Sequence, residues 1–120
     1  LTGNAIRVPT PNVSLAVMSL TVEKKNLNKN DVNEFLRKTA FNSKYREIVG
    51  FVNSTEIVSS DFYSSPFASV IDSQATIVSD NKITLYCWYD NEYGYSVQVV
   101  NLVKNIAGIN LIRLPVKVWY

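Results

Sequence analysis

The chain has 120 residues, 47% of them hydrophobic and 12% aromatic, which supplies one compact core, since a chain of this size buries roughly two-thirds of its unfolded surface. Twelve basic against ten acidic side chains leave a formal charge of +2, too small and too dispersed for the electrostatic footprint of nucleic-acid binding. With no histidine and a single cysteine, Cys87, the chain cannot build a Ser/His or Cys/His nucleophile pair, an internal disulfide or an ordinary zinc shell.

No run of about 18 apolar residues is present, and the N-terminus lacks the basic-then-apolar layout of a signal peptide. No membrane association and a cytoplasmic location are therefore expected. The first residue is Leu1 rather than Met, so a processed chain or a segment of a longer protein is expected.

Along the chain, Pro9 and Pro11 fix their φ angles and lack N–H donors, which makes residues 4–12 an extended strand end or turn carrying Arg7. Residues 13–22 are small, apolar and hydroxylated, with Leu20 and Val22 alternating against Thr21 and Glu23, the period of a half-buried strand that runs to about Lys24. Asn28 to Asn30 is a cluster of N-capping residues, and Val32, Phe35, Leu36 and Ala40 follow at i, i+3, i+4 and i+8 of a helix. Asp31 and Glu34 near its start, with Arg37 and Lys38 nearer its end, complement the helix dipole.

The stretch 48–84 breaks into short β-prone pieces at 48–52, 57–62, 68–71 and 76–78, separated by Asp, Asn and Ser clusters. Residues 83–89 form a strongly β-prone strand with Tyr86, Trp88 and Tyr89. Asp90 caps a second helix with an apolar stripe at Val99, Leu102, Val103 and Ile106, and Gly108 stops it. The order predicts an α+β layer, two helices packed on a largely antiparallel sheet. The tail 109–120, with Pro115, is expected to be a short strand or a free end.

Several residues are candidates for chemistry. Arg7 carries a planar, always-charged fork suited to phosphate or carboxylate, or it is a surface arginine paired with an acid. Cys87 lies among Leu85, Tyr86 and Trp88 with no basic residue beside it in sequence, so a buried structural thiol is expected rather than a nucleophile. Asp61 and Asp72 sit on separate predicted strands, and no acid/base pairing follows from their spacing. Lys24, Lys25 and Lys29 make a solvated turn. The acceptor patterns at Asn12 and Asn53 matter only in a secreted protein and are set aside.

The run Trp88-Tyr89-Asp90-Asn91-Glu92-Tyr93-Gly94-Tyr95-Ser96 places polar side chains among aromatics where a strand enters a helix. Asn91 offers both donor and acceptor to an amide-bearing ligand, with Tyr95 one turn on and on the same face. The alternative is a capped helix with an aromatic anchor, and residue chemistry leaves both open.

This run closely resembles the signature near the C-terminus of phosphorylating glyceraldehyde-3-phosphate dehydrogenase. The opening Leu1-Thr2-Gly3-Asn4-Ala5-Ile6-Arg7-Val8-Pro9-Thr10-Pro11-Asn12-Val13-Ser14 is similar to the family segment after its S-shaped loop. Val58-Ser59-Ser60-Asp61-Phe62 and Ala68-Ser69-Val70-Ile71-Asp72 follow in the expected order. The resemblance covers residues 1–108, the C-terminal part of the catalytic domain, and leaves 109–120 as an unmatched tail. Val17 departs from it, falling where many members carry an acid. Erythrose-4-phosphate dehydrogenases share the architecture, but Pro11 after Thr10 and the Tyr89, Tyr93 and Tyr95 pattern favour the glyceraldehyde enzyme.

The resemblance implies NAD-linked oxidation of glyceraldehyde 3-phosphate with uptake of inorganic phosphate, giving 1,3-bisphosphoglycerate in glycolysis, by a tetrameric parent enzyme. In that mechanism a cysteine adds to the aldehyde, hydride passes to nicotinamide, and phosphate releases the acyl-thioester. Position by position, Arg7 corresponds to a phosphate-recognition arginine, Asn91 to the asparagine that bonds the nicotinamide carboxamide, and Tyr95 to the tyrosine beside the nicotinamide ring. The family's dinucleotide-binding fold, nucleophilic cysteine and histidine partner have no counterpart in this chain, and Cys87 does not match the nucleophile. The expectation is a fragment inactive alone, with no catalytic and no metal-binding residue, completed by the N-terminal portion. The rival expectation is a non-catalytic remnant or oligomerisation module.

Overall fold

The computed structural model describes Gly3 and residues 5–109. The expected strand or free end beyond Ile109 lies outside the described residues. Strand β1 is Ser14–Thr21, helix α1 Lys29–Asn42, β2 Val49–Val52, β3 Ser69–Ser79, β4 Lys82–Tyr89 and helix α2 Tyr93–Ile106. The extended segment before β1 contains a turn in which the Thr10 N–H donates to Val8 O.

Helix α1 begins where its cap predicts. The Asn28 side chain accepts from the Asp31 N–H at 2.9 Å, satisfying one of the donors that a helix start leaves unpaired. Val32 and Ala40 are buried and Leu36 packs against the core, so the inward stripe runs i, i+4, i+8. Phe35, expected on that stripe, is 69% exposed. It stands beside the stripe rather than in it, because the face that meets the sheet is narrower than the apolar pattern.

The four strands form one sheet in the order β1-β4-β3-β2. Strand β4 pairs antiparallel with both β1 and β3. Strands β2 and β3 are parallel, so the largely antiparallel expectation holds with one parallel pair at the edge. The long connection 53–68 permits this, since parallel neighbours need a crossover rather than a hairpin.

Ile83, Leu85 and Cys87 alternate onto the face under α1, where they join Ile71 and Val32 in the core. Ala16, Val22, Leu27, Val49, Phe51 and Val78 close around them. Trp88 lies on the opposite face, stacked on buried Phe62 with ring centroids 5.3 Å apart.

Three of the predicted β-prone pieces differ in form. Residues 57–62 hold a 3₁₀ turn at Ser59–Phe62 instead of a strand. The Asp61 carboxylate accepts from the Val58 N–H at 2.8 Å, giving the backbone a local partner that competes with a ladder. The pieces at 68–71 and 76–78 are one strand, β3, whose register against β4 shifts between Asp72 and Ile77. Asp72 creates that irregularity by accepting from the Gln74 and Ala75 N–H groups, both at 3.1 Å. Such a bulge bends a strand without ending it.

Helix α2 stops where Gly108 was expected to stop it. Gly108 has φ 68°, the Ile109 N–H donates to Lys104 O, and the Gly108 N–H donates to Asn105 O, the pairing of a Schellman cap. Its stripe of Val99, Leu102, Val103 and Ile106, however, faces outward, and Ile106 is 78% exposed. The helix is held at its start instead. Gly94 sits against the backbone of Ser65 and Phe67, and the Gln98 Nε2 donates to Pro66 O at 3.0 Å.

Candidate functional site

Strand β4 is followed directly by Asp90, a residue only 3% exposed. Its Oδ1 accepts from the Glu92 N–H at 2.9 Å and the Tyr93 N–H at 3.0 Å, the N2 and N3 donors of a helix capped at Asp90. Regular α-helical structure starts at Tyr93, so the expected cap is present and acts through the intervening turn. Its Oδ2 accepts from the Ser64 N–H at 2.9 Å and from Asn12 Nδ2 at 3.2 Å. The Tyr93, Ser64 and Glu92 amides and Asn12 hold the Asp90 carboxyl below the usual carboxylate range, against the opposing effect of burial.

That carboxylate fixes the turn bearing Asn91. Asn91, Tyr95, Gln98, Tyr89, Asp90 and Ala68 line an open groove of about 370 Å³. Asn91 is exposed, and Tyr95 is 72% exposed. The groove thus offers an amide with donor and acceptor beside an uncovered aromatic face, which suits a planar ligand carrying an amide. The groove therefore brings Asn91 and Tyr95 together.

Arg7 is exposed and is not among the groove's lining residues. The ion pairs among the described residues join Glu34 to Arg37 and Lys38, so Arg7 is in none of them. Its segment is nonetheless tied to the groove, because Asn12 on the same extended stretch reaches Asp90.

Comparison with known proteins gives this junction a context. The family model described as glyceraldehyde 3-phosphate dehydrogenase, C-terminal domain, matches residues 1–91. The chain belongs to this family. A glyceraldehyde-3-phosphate dehydrogenase-like protein of Pseudomonas aeruginosa (strain UCBPP-PA14) is 52% identical over 115 residues, covering 96% of this chain and 25% of that protein. The chloroplastic glyceraldehyde-3-phosphate dehydrogenase GAPB of Arabidopsis thaliana is 45% identical over 108 residues, with 89% and 24% covered. A glyceraldehyde-3-phosphate dehydrogenase of Borreliella burgdorferi is 35% identical over 108 residues, covering 89% of this chain and 32% of that protein. The chain therefore spans about a quarter to a third of the length of these relatives.

Other candidates in this glyceraldehyde-3-phosphate dehydrogenase C-terminal domain have structural places. Cys87 is buried, and burial pushes its thiol up, partly offset by a hydrogen bond with Ser69, as expected of an inert thiol. Asp61 holds the Val58 turn and Asp72 holds the β3 bulge, where it also accepts from the Trp88 Nε1 at 3.4 Å. Lys24 and Lys25 are exposed, while Lys29 Nζ donates to Gln74 O at 2.7 Å. No group of three or more metal-ligating side chains occurs among the described residues.

Sequence reasoning missed Gln98 and the second role of Asp90. Gln98 lies three residues after Tyr95 on the same helix, a spacing that places both on one face, so its signal was present. The bond from Asn12 to Asp90 spans 78 positions and leaves no local signal.

Proposed function

We propose that this chain is a C-terminal catalytic-domain segment of an NAD-dependent glyceraldehyde-3-phosphate dehydrogenase, an oxidoreductase of glycolysis that converts glyceraldehyde 3-phosphate and inorganic phosphate to 1,3-bisphosphoglycerate. The observation that carries the reading is the groove in which Asn91 and Tyr95 meet beside Asp90. Its residues fit a nicotinamide: the Asn91 amide complements a carboxamide as donor and acceptor, and the Tyr95 ring covers one side of an aromatic ring. NAD supplies a hydride acceptor when bound. Asn91 then sets ring orientation, Tyr95 limits water access, and Arg7 grips a phosphate oxygen pair through its guanidinium fork. The names of the matched relatives support the glyceraldehyde enzyme over an erythrose-4-phosphate dehydrogenase.

The chain holds no histidine, and its single thiol is buried, so the nucleophile and base of the reaction must come from an N-terminal portion. The 120-residue chain is inactive alone in this reading. Residues 1–108 form the domain segment in this reading, while the similarity to the Pseudomonas aeruginosa protein, which covers 96% of the chain, continues into the stretch 109–120. A homotetrameric parent and a cytoplasmic setting belong to the same proposal through the resemblance. The test is phosphate-dependent NADH formation by the chain, by the N-terminal half of a relative, and by both together. Activity only in the mixture supports the proposal, and NADH formation by the chain alone overturns it.

A second reading rests on a separate observation. Val99, Val100, Leu102, Val103 and Ile106 leave an apolar face of α2 exposed, and on β1 Leu15 and Val17 on one side of the sheet and Met18 and Leu20 on the other are exposed as well. Exposed apolar surface on a helix favours association, so the chain acts as a non-catalytic interaction module in this reading. Light scattering that shows a monomer at high concentration contradicts it.

A further inference from the structure

We propose that Asp90 is a positioning residue that couples the Arg7-bearing segment to the Asn91 turn, so that an anion bound at one and an amide bound at the other are held in one arrangement. The inference rests on the binding roles proposed above for Arg7 and Asn91, but the coupling itself is a property of the unliganded chain. It follows from how the two carboxylate oxygens are divided. Oδ1 serves only the turn, through the Glu92 and Tyr93 amides. Oδ2 serves two distant segments, through Asn12 and the Ser64 amide.

Both distant partners lie at strained backbone. Val13, next to Asn12, has φ 71°, and Ser64 has φ 58°. A positive φ is unusual for any side chain and a clear outlier for a β-branched one. The Val13 N–H donates to Asn12 Oδ1 at 2.7 Å, so the Asn12 side chain bridges the strained residue to Asp90. Strain of this kind persists only where surrounding contacts over-determine it. Here a buried carboxylate supplies those contacts from the position preceding Asn91. The remaining positive-φ residues other than glycine among those described, Asn26 and Asp80, are joined in the same manner by the Asn26 N–H donating to Asp80 Oδ1. That second pair closes a turn at the opposite end of β4 from the groove, whereas the Asp90 pair meets at it.

The division of oxygens provides the test. Asp90→Asn keeps one acceptor oxygen, enough for one half of the hub. Asn12→Ala removes one arm without altering the helix cap. The double variant Asp90→Asn with Asn12→Asp reverses donor and acceptor across the same contact. Amide shifts and hydrogen exchange are recorded on the ¹⁵N-labelled full chain. The expected results are that Asn12→Ala moves the Asn91 to Tyr95 amides, and that Asp90→Asn speeds exchange in one half of the hub by about tenfold or more, the loss of a hydrogen bond to a charged acceptor. The reversed pair restores the wild-type pattern over residues 5–13.

The proposal is overturned if Asn12→Ala disturbs only its own segment and the reversed pair behaves as the sum of its two changes, which makes Asp90 a helix cap and nothing more. Should Asp90→Asn unfold the core, seen as lost protection at Leu85, Asn12→Ala decides alone. Nicotinamide and inorganic phosphate are then titrated separately into wild type. A titration silent at Asn91 with nicotinamide removes the binding role of Asn91, and one silent at Arg7 with phosphate removes that of Arg7, without touching the coupling read from the variants.

Discussion

Gly94→Ala is the substitution whose cost the structure defines most sharply. A Cβ at position 94 meets Phe67 O at 2.5 Å and Ser65 O at 3.3 Å, and both atoms are backbone that cannot rotate away. Forcing a methyl into so close an approach costs about 2–3 kcal/mol, while alanine gains about 1 kcal/mol over glycine within a helix. The net is a destabilisation of about 1–2 kcal/mol, roughly a 5- to 30-fold fall in the folding constant. Because α2 buries only Gly94, the clash is relieved by lifting the helix start from the 63–68 loop, and the Asn91 turn moves with it. Urea unfolding followed by Trp fluorescence reads the effect as a lower midpoint at unchanged slope. A midpoint equal to or above wild type means that the helix gain is unopposed, and the close approach of Gly94 to Phe67 is then refuted.

Asn28→Ala removes the α1 cap and should cost about 1 kcal/mol in the same urea experiment; an unchanged midpoint contradicts the capping role. Asp90 titrates below the ordinary carboxylate range when folded, so its contribution to stability is fully present above a pH of about 4. It is lost as pH falls from there through the folded pKa, because the unfolded chain takes up the proton first. Acid unfolding of Asp90→Asn should therefore be less steep in that range, and a profile parallel to wild type counts against the hub. The Cys87 thiol, buried and raised, should react with a disulfide reagent at pH 8 far more slowly in the native chain than in urea. Equal rates would place it at the surface.

How far the fold is legible from sequence depends on whether a signal is local. The α1 cap at Asn28 and the α2 stop at Gly108 are set by neighbouring residues and appear as expected. Phe35 does not, since the width of the buried stripe is decided by the sheet beneath. The Asp72 turn splits β3 in the sequence pattern, yet β4 pairs on both sides of it and makes one strand. The α2 stripe carries the same period whichever surface it is to meet, so periodicity finds the helix but not its outward orientation.

The site divides in the same way. Asn91 and Tyr95 lie in one continuous motif, and the groove joins them. Arg7 stands out in the sequence by its guanidinium chemistry and by the family resemblance of its segment. What connects its segment to the groove, the Asn12 contact with Asp90, exists only after β1 has been laid beside β4 with Ser14 opposite Tyr89.

The most direct test of the central claim is a nicotinamide titration of the ¹⁵N-labelled chain, wild type against Asn91→Ala. The account predicts saturable shifts at the Asn91 side-chain amide and around Tyr95, with affinity reduced about tenfold or more when Asn91 is removed and its ligand's amide is left unpaired. Shifts absent from the groove, or an affinity unchanged by Asn91→Ala, would contradict it.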